Sequence, residues 1–181
     1  MIIGPESTGK STLCLQLAAH YNTVWVPEYA REFLSNNNNK YDYDDLLTIA
    51  QGQLALEDQY ERSLLEHINI GLINNSLVPL FIDTDMYVMK VWCEFVFGKC
   101  HAWILEQASI RVYDHYLLCN TDLPWVKDAL REYPDLETRK KLFLIYKDIL
   151  VNQTTPWSLV SGGYEQRLKI ATTEIDKHFH F

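Results

Sequence analysis

Residues 4–12 read Gly-Pro-Glu-Ser-Thr-Gly-Lys-Ser-Thr: two glycines with four residues between them, followed at once by a lysine and a hydroxyl residue. Gly4, Gly9, Lys10 and Ser11 satisfy the pattern G-x-x-x-x-G-K-[ST], the Walker-A signature of a phosphate cradle. The glycines let the backbone N–H groups of residues 7–11 converge on phosphate oxygens, and the N-terminus of a following helix adds its positive dipole end. Lys10 supplies a point charge for the β- and γ-phosphates of a nucleoside triphosphate, and Ser11 a hydroxyl ligand for Mg²⁺. The candidate ATP site is therefore Gly4, Glu6, Ser7, Thr8, Gly9, Lys10, Ser11 and Thr12.

Such a loop needs an acid at the end of another strand. The apolar run Leu80, Phe81, Ile82 ends in Asp83, and Asp85 follows two residues later. Asp83 is the candidate for the magnesium shell, although the same residue could simply cap the next helix. Three further stretches carry chemistry. "VPEYAREF" puts Glu28, Tyr29 and Arg31 where a carboxylate could accept a hydroxyl proton and an aromatic could cover a flat ring; Arg31 would otherwise be an ordinary solvated helix residue. Residues 120–141 hold Arg131, Arg139, Lys140 and Lys141, a local basic cluster that reads either as a lid over a transferring phosphate, at about residues 121–142, or as a solvated helix. "VSGGYEQR" offers Gly162 and Arg167 on the adenine side.

These residues need a scaffold whose strand ends meet. Short β-rich runs alternate with helical patterns, the mark of an α/β fold with a mainly parallel sheet. Strands are expected at residues 1–3, 23–26, 80–83, 113–119 and 157–160. Helices are expected at 10–21, 28–34, 44–74, 86–97, 102–108, 136–151 and 164–179. The low-complexity patch "SNNNNKYDYDD" disfavours both helix and strand and reads as a mobile surface loop, with Asp42 and Asp44 available to cap the helix after it. No linker or repeat divides the chain, so residues 1–181 are read as one domain.

Composition narrows the function classes. The chain has 181 residues, 48% of them hydrophobic and 22% charged, with a formal net charge of -8. That charge repels nucleic acid and anionic membranes, leaving room only for a local basic site. No apolar run approaches membrane-spanning length, and the phosphate motif begins at Gly4, so no signal segment is expected before it. Cys14, Cys93, Cys100 and Cys119 lack the close spacing of a metal or redox site and read as reduced thiols of a cytoplasmic protein. His178 and His180 read as a solvated helix end.

"GPESTGKST", "VPEYAREFL", "IAQGQ", "FIDTD" and "PWVKDALR", in that order along nearly the whole chain, resemble the P-loop kinase domain of NadR-type ribosylnicotinamide kinases. The resemblance implies a three-layer fold with sheet order 2-3-1-4-5 and an ATP- and Mg²⁺-dependent kinase acting on nicotinamide riboside. By that likeness Lys10 and Ser11 serve ATP and magnesium, Asp83 and Asp85 line the reacting centre, and Arg131 belongs to the lid. With the chemistry of the residues themselves, Lys10, Glu28, Asp83 and Arg131 are the catalytic candidates, with Asp83 competing with Glu28 as the base. Ser11 and Asp83 are the metal ligands, and Glu28, Tyr29, Arg31, Gln53 and Asp85 the acceptor candidates. The sequence departs from that pattern twice. The H-x-G-H motif of an adenylyltransferase domain is absent, so activity is expected to stop at the kinase step. Where riboside kinases carry a tryptophan directly before the Glu-Tyr pair, this chain has Pro27, with Trp25 two residues earlier.

Overall fold

The structure, a computed structural model, describes residues 1–70, 78–128 and 131–179. Strands and helices alternate along the chain: β1 (Ile2–Ile3), α1 (Lys10–His20), β2 (Trp25–Val26), α2 (Tyr29–Asn36), α3 (Tyr43–Asn69), β3 (Phe81–Ile82), α4 (Met86–Phe97), α5 (Ala102–Ile110), β4 (Tyr116–Cys119), α6 (Leu136–Val151), β5 (Trp157–Val160) and α7 (Tyr164–His178). The expected bounds of α4, α6 and β5 match these. The expected helix over 44–74 ends its described course at Asn69, and residues 71–74 lie outside the described residues. The strand expected from residue 113 starts at Tyr116, where pairing with the first residue of β5, Trp157, begins.

All strand pairings are parallel: β1 with β4, β4 with β5, and β2 with β3. The hydrogen bonding draws two groups, β1-β4-β5 and β2-β3, joined by an isolated parallel bridge between Ile2 and Asp83. One continuous sheet in the order 2-3-1-4-5 is thus not what the ladders trace, because β1, β2 and β3 are each two residues long.

Successive strand residues face opposite sides, and the sequence uses that alternation to build two cores. Ile3, Ile82 and Leu118 bury against Val88 and Val91 of α4 and against Leu142, Tyr146 and Leu150 of α6. Their neighbours Ile2, Phe81 and Leu117 bury against Leu13 and Leu17 of α1 and Ala171 and Ile175 of α7. Each fully buried aliphatic side chain contributes about 2 kcal/mol of transfer free energy. The result is three layers with helices on both faces, the arrangement that parallel strands require. A third apolar cluster fastens α2, α3, α4 and α5 together through Ala30, Ile49, Ala50, Met89 and Ile104.

Local signals explain the helix starts. Asp42 forms a capping box with Asp45 at the head of α3, and Asp85 caps α4 through the Val88 amide. The asparagine run leaves α2 through Asn38 and Asn39, both in the left-handed conformation that asparagine tolerates. Among the described residues no helix is long and apolar enough to cross a membrane.

Candidate active site

Parallel strands deliver all their carboxyl ends to one edge, where the connecting loops form a crevice. The loop after β1 closes the phosphate cradle. Gly4 (φ 146°) and Gly9 (φ 77°) both occupy backbone regions that favour glycine. A Cβ on Gly4 would lie 2.8 Å from the Cys119 carbonyl, so the loop sits directly on the end of β4. Gly9 is the N-cap of α1 and has no side chain with which to cap the helix amides, which stay available to an anion. Thr8 is buried and its hydroxyl donates to the Pro5 carbonyl at 2.7 Å; Lys10 Nζ donates to the same carbonyl at 3.0 Å.

Beneath the cradle the Ser11 hydroxyl donates to Asp83 Oδ2 at 2.5 Å. Asp83 is fully buried and its other oxygen, Oδ1, has no hydrogen-bond partner among the described residues. Burial, and then the neighbouring Glu28, push this carboxyl up to about 6, while Lys10, the Ser11 hydroxyl and Arg31 pull the other way. A buried carboxylate oxygen without a partner is costly, and an oxygen-seeking divalent cation would satisfy it. The donor set of Ser11 and Asp83 fits Mg²⁺.

In front of the cradle lies a cleft of about 380 Å³ lined by residues 6–12, Glu28, Ala30, Arg31, Leu34, Asp128 and Arg131. Charged side chains step across it. Glu28 pairs with Arg31 at 3.4 Å, Arg31 Nη1 with Asp128 Oδ2 at 3.1 Å, and Arg131 Nε with the same Asp128 oxygen at 3.8 Å. Arg131 Nη1 also donates to the Val126 carbonyl at 2.6 Å and to Ser7 Oγ at 3.3 Å. Thr84 donates to Glu28 Oε1 at 3.4 Å.

A family model described as the AAA domain matches residues 1–167. The chain belongs to the AAA domain family. It is 30% identical over 144 residues to the trifunctional NAD biosynthesis/regulator protein NadR of Escherichia coli K12, covering 77% of this chain and 32% of that protein. The NadR protein of Salmonella typhimurium LT2 is also 30% identical, over 143 residues and the same shares. Among solved structures, a NadR protein in complex with NR superposes with a TM-score of 0.73 at 19% identity, over 99% of this chain and 50% of that one. A NadR protein in complex with NAD and AMP-PNP gives 0.67 at 19% identity, over 98% and 48%. This AAA domain thus has the α/β P-loop kinase-like fold, and it spans about a third of the curated relatives and half of the solved chains.

Several expected site residues of this AAA domain stand elsewhere. Arg167 is buried behind the cradle: its guanidinium donates to the carbonyls of Thr8, Asn120 and Gly162 at 2.7–3.0 Å and pairs with Asp122. Its charge is spent on holding three loops together, which corrects its reading as an ATP ligand. Gly162 N–H goes to Asp122 Oδ2 at 2.6 Å. Asp85 is turned into the core, capping α4 and accepting from the Tyr116 hydroxyl at 3.0 Å, so it does not join Asp83 in the crevice. Tyr29 lies against α3, where a Cβ on Gly52 would come within 2.1 Å of its ring, and it is not part of the cleft lining. Gln53 is buried beside it and accepts from the Tyr29 amide at 2.9 Å. Within the basic segment, Arg139 is buried with its donors on the Glu6, Ser7 and Leu123 carbonyls, whereas Lys140 is an exposed partner of Glu137. Sequence reasoning passed over Thr84 and Asp128. Asp128 lay within "PWVKDALR", and only the fold shows it facing Arg31.

Proposed function

We propose that this chain is a kinase that uses Mg·ATP to phosphorylate a ribose hydroxyl of a small riboside, with nicotinamide riboside the leading acceptor. The observation that carries the reading is the Ser11–Asp83 pair under a glycine cradle, its buried carboxylate oxygen without a partner, beneath a cleft whose lining runs from the cradle to Glu28. An ATPase switch needs the first half of that arrangement and not the second.

In this reading the amides of residues 7–11 and Lys10 hold the β- and γ-phosphates, and Ser11 and Asp83 hold the magnesium. The cation would supply neutralisation of the charge that develops on the transferring phosphoryl group. Glu28 hydrogen-bonds the acceptor hydroxyl and takes its proton, with Asp83 the competing base. The ribose oxygen then bonds to the γ-phosphorus as the β,γ-bridging bond breaks, releasing ADP. Arg131, with Arg31, stabilises the transferring phosphoryl group. The five strands act as one sheet in the order 2-3-1-4-5, an arrangement supported by the Ile2–Asp83 bridge and by the Thr84 amide, which donates to the Ile2 carbonyl at 3.4 Å. The lid of a single domain is drawn from residues 121–142, of which 129 and 130 lie outside the described residues, and the four free cysteines suit a cytoplasmic setting.

The NadR relatives support the pyridine riboside. A different nucleoside or nucleotide acceptor is favoured by Pro27 and by the placement of Tyr29 outside the cleft. Glu28→Gln should lower kcat for riboside phosphorylation at least about tenfold and leave ATP affinity within about threefold. Product analysis with a riboside panel and calorimetry with ATP test the two halves. ATP bound with no riboside phosphorylated would remove the riboside acceptor, and a panel of nucleosides and nucleotides with no product at all would remove the kinase reading in favour of the switch.

A further inference from the structure

A carboxylate inside an anion cradle works against phosphate binding unless something else occupies it, and Glu6 is such a carboxylate. It accepts from the backbone amides of Glu132 at 3.0 Å and Tyr133 at 3.1 Å, the two residues that follow Arg131. The next residue, Ser7, accepts from the Val126 amide at 3.0 Å and from Arg131. Arg139 closes the arrangement from behind through the Glu6 and Ser7 carbonyls. The segment carrying Arg131 is therefore joined to the phosphate loop through protein contacts.

We propose that Glu6 is a positioning residue: its carboxylate holds the backbone on which Arg131 rides, so that the guanidinium stands over the phosphate cradle. This rests on the kinase reading, in which Arg131 acts on the transferring phosphoryl group. Glu6 brings the charge on the acceptor side, to two lid amides at once, where Arg131 and Arg139 bring it on the donor side, and charge-assisted hydrogen bonds are about twice as strong as neutral ones. Truncation returns the Glu132 and Tyr133 amides to water and leaves Arg131 held by its own contacts to Ser7, Val126 and Asp128. Because the two amides draw the carboxylate to the lid, Glu6 is not itself a nucleotide ligand.

The test is a double-mutant cycle on the full chain, read as ADP formed from Mg·ATP with and without nicotinamide riboside. Glu6→Ala should lower kcat about tenfold while changing KM for ATP less than about threefold. Glu6→Gln, which keeps an oxygen acceptor, should recover most of the loss. In an Arg131→Ala background, Glu6→Ala should have no further effect on kcat. Amide exchange at Glu132 and Tyr133 gives a reading independent of turnover, with protection lost in the alanine variant and retained in the glutamine one. Additive losses, a raised KM with unchanged kcat, glutamine no better than alanine, or unchanged exchange would each overturn the proposal. Failure of the acceptor assignment is distinguishable, since it shows in the wild type as a rate indifferent to the riboside, with the cycle still legible in basal hydrolysis.

Discussion

Asp83 can hold a cation only when it is ionised, and its burial works against that charge. With the carboxyl pushed up to about 6, the ionised form prevails above that pH and is lost as pH falls through it. Mg-dependent ATP affinity should accordingly weaken about tenfold for each unit below 6. Calorimetry between pH 5 and 8 would show this bend, and Asp83→Asn should flatten the profile at its weak end. The residue beside it is strained. Thr84 is buried with φ 83°, a rare conformation for a β-branched side chain. That twist separates two consecutive acidic roles, sending Asp83 under the cradle and Asp85 into the cap of α4. Thr84→Gly relieves about 1–3 kcal/mol of strain. It also removes a buried methyl worth about 1 kcal/mol and the hydrogen bond to Glu28. Glycine's extra freedom in the unfolded chain costs about 1 kcal/mol more, so gain and loss roughly cancel. The variant should melt within a few degrees of wild type yet turn over about tenfold more slowly. A large drop in melting temperature would mean that the strain is not what the position carries.

At the level of elements, the seam between α2 and α3 decides where Glu28 stands. Gly52 leaves room for the Tyr29 ring, and Gln53 receives the amide of Tyr29. In the native background Gly52→Ala must displace that ring, and the cost of overpacking exceeds the roughly 1 kcal/mol gained in helix propensity. In a Tyr29→Ala background the obstacle is gone, so the same substitution should raise the melting temperature. Paired thermal melts check the reversal of sign. The seam also shows what a sequence discloses. Gly9, Lys10 and Ser11 were legible because a phosphate cradle demands those residue types at that spacing, and Asp83 because an apolar run ended on it. Met86–Phe97 and Leu136–Val151 were legible from helical periodicity. Arg167 and Asp85 were not, because a lone charge can serve a ligand or a buried set of carbonyls and amides. Which one it serves is fixed by chain segments distant in sequence, here Thr8, Asn120 and Tyr116.

Across the whole molecule, buried acids make stability depend on pH in an unusual direction. Burial first of all pushes Glu57 up to about 8, against the hydrogen bond from the Tyr113 hydroxyl, and holds Asp85 at about 6. The unfolded chain releases these protons near pH 4, so between there and pH 8 the folded protein binds more protons. These two acids then take stability away as pH rises through that window, while His115, which burial pushes down to about 4, works the other way below about 6.5. Glu57→Gln, which mimics the protonated acid, should melt higher than wild type at pH 8.5 and lose most of that advantage at pH 5. Melting curves at both pH values decide it. The same molecule divides its labour in space: the cleft takes its phosphate half from residues 6–12, whereas Glu28, Ala30, Arg31 and Leu34 all belong to α2 or its cap. One short helix and its cap therefore carry most of the non-phosphate wall. Drift or design could rewrite Ala30 and Leu34, and with them the shape of the cleft, while Glu28, Arg31 and the phosphate loop are inherited unchanged.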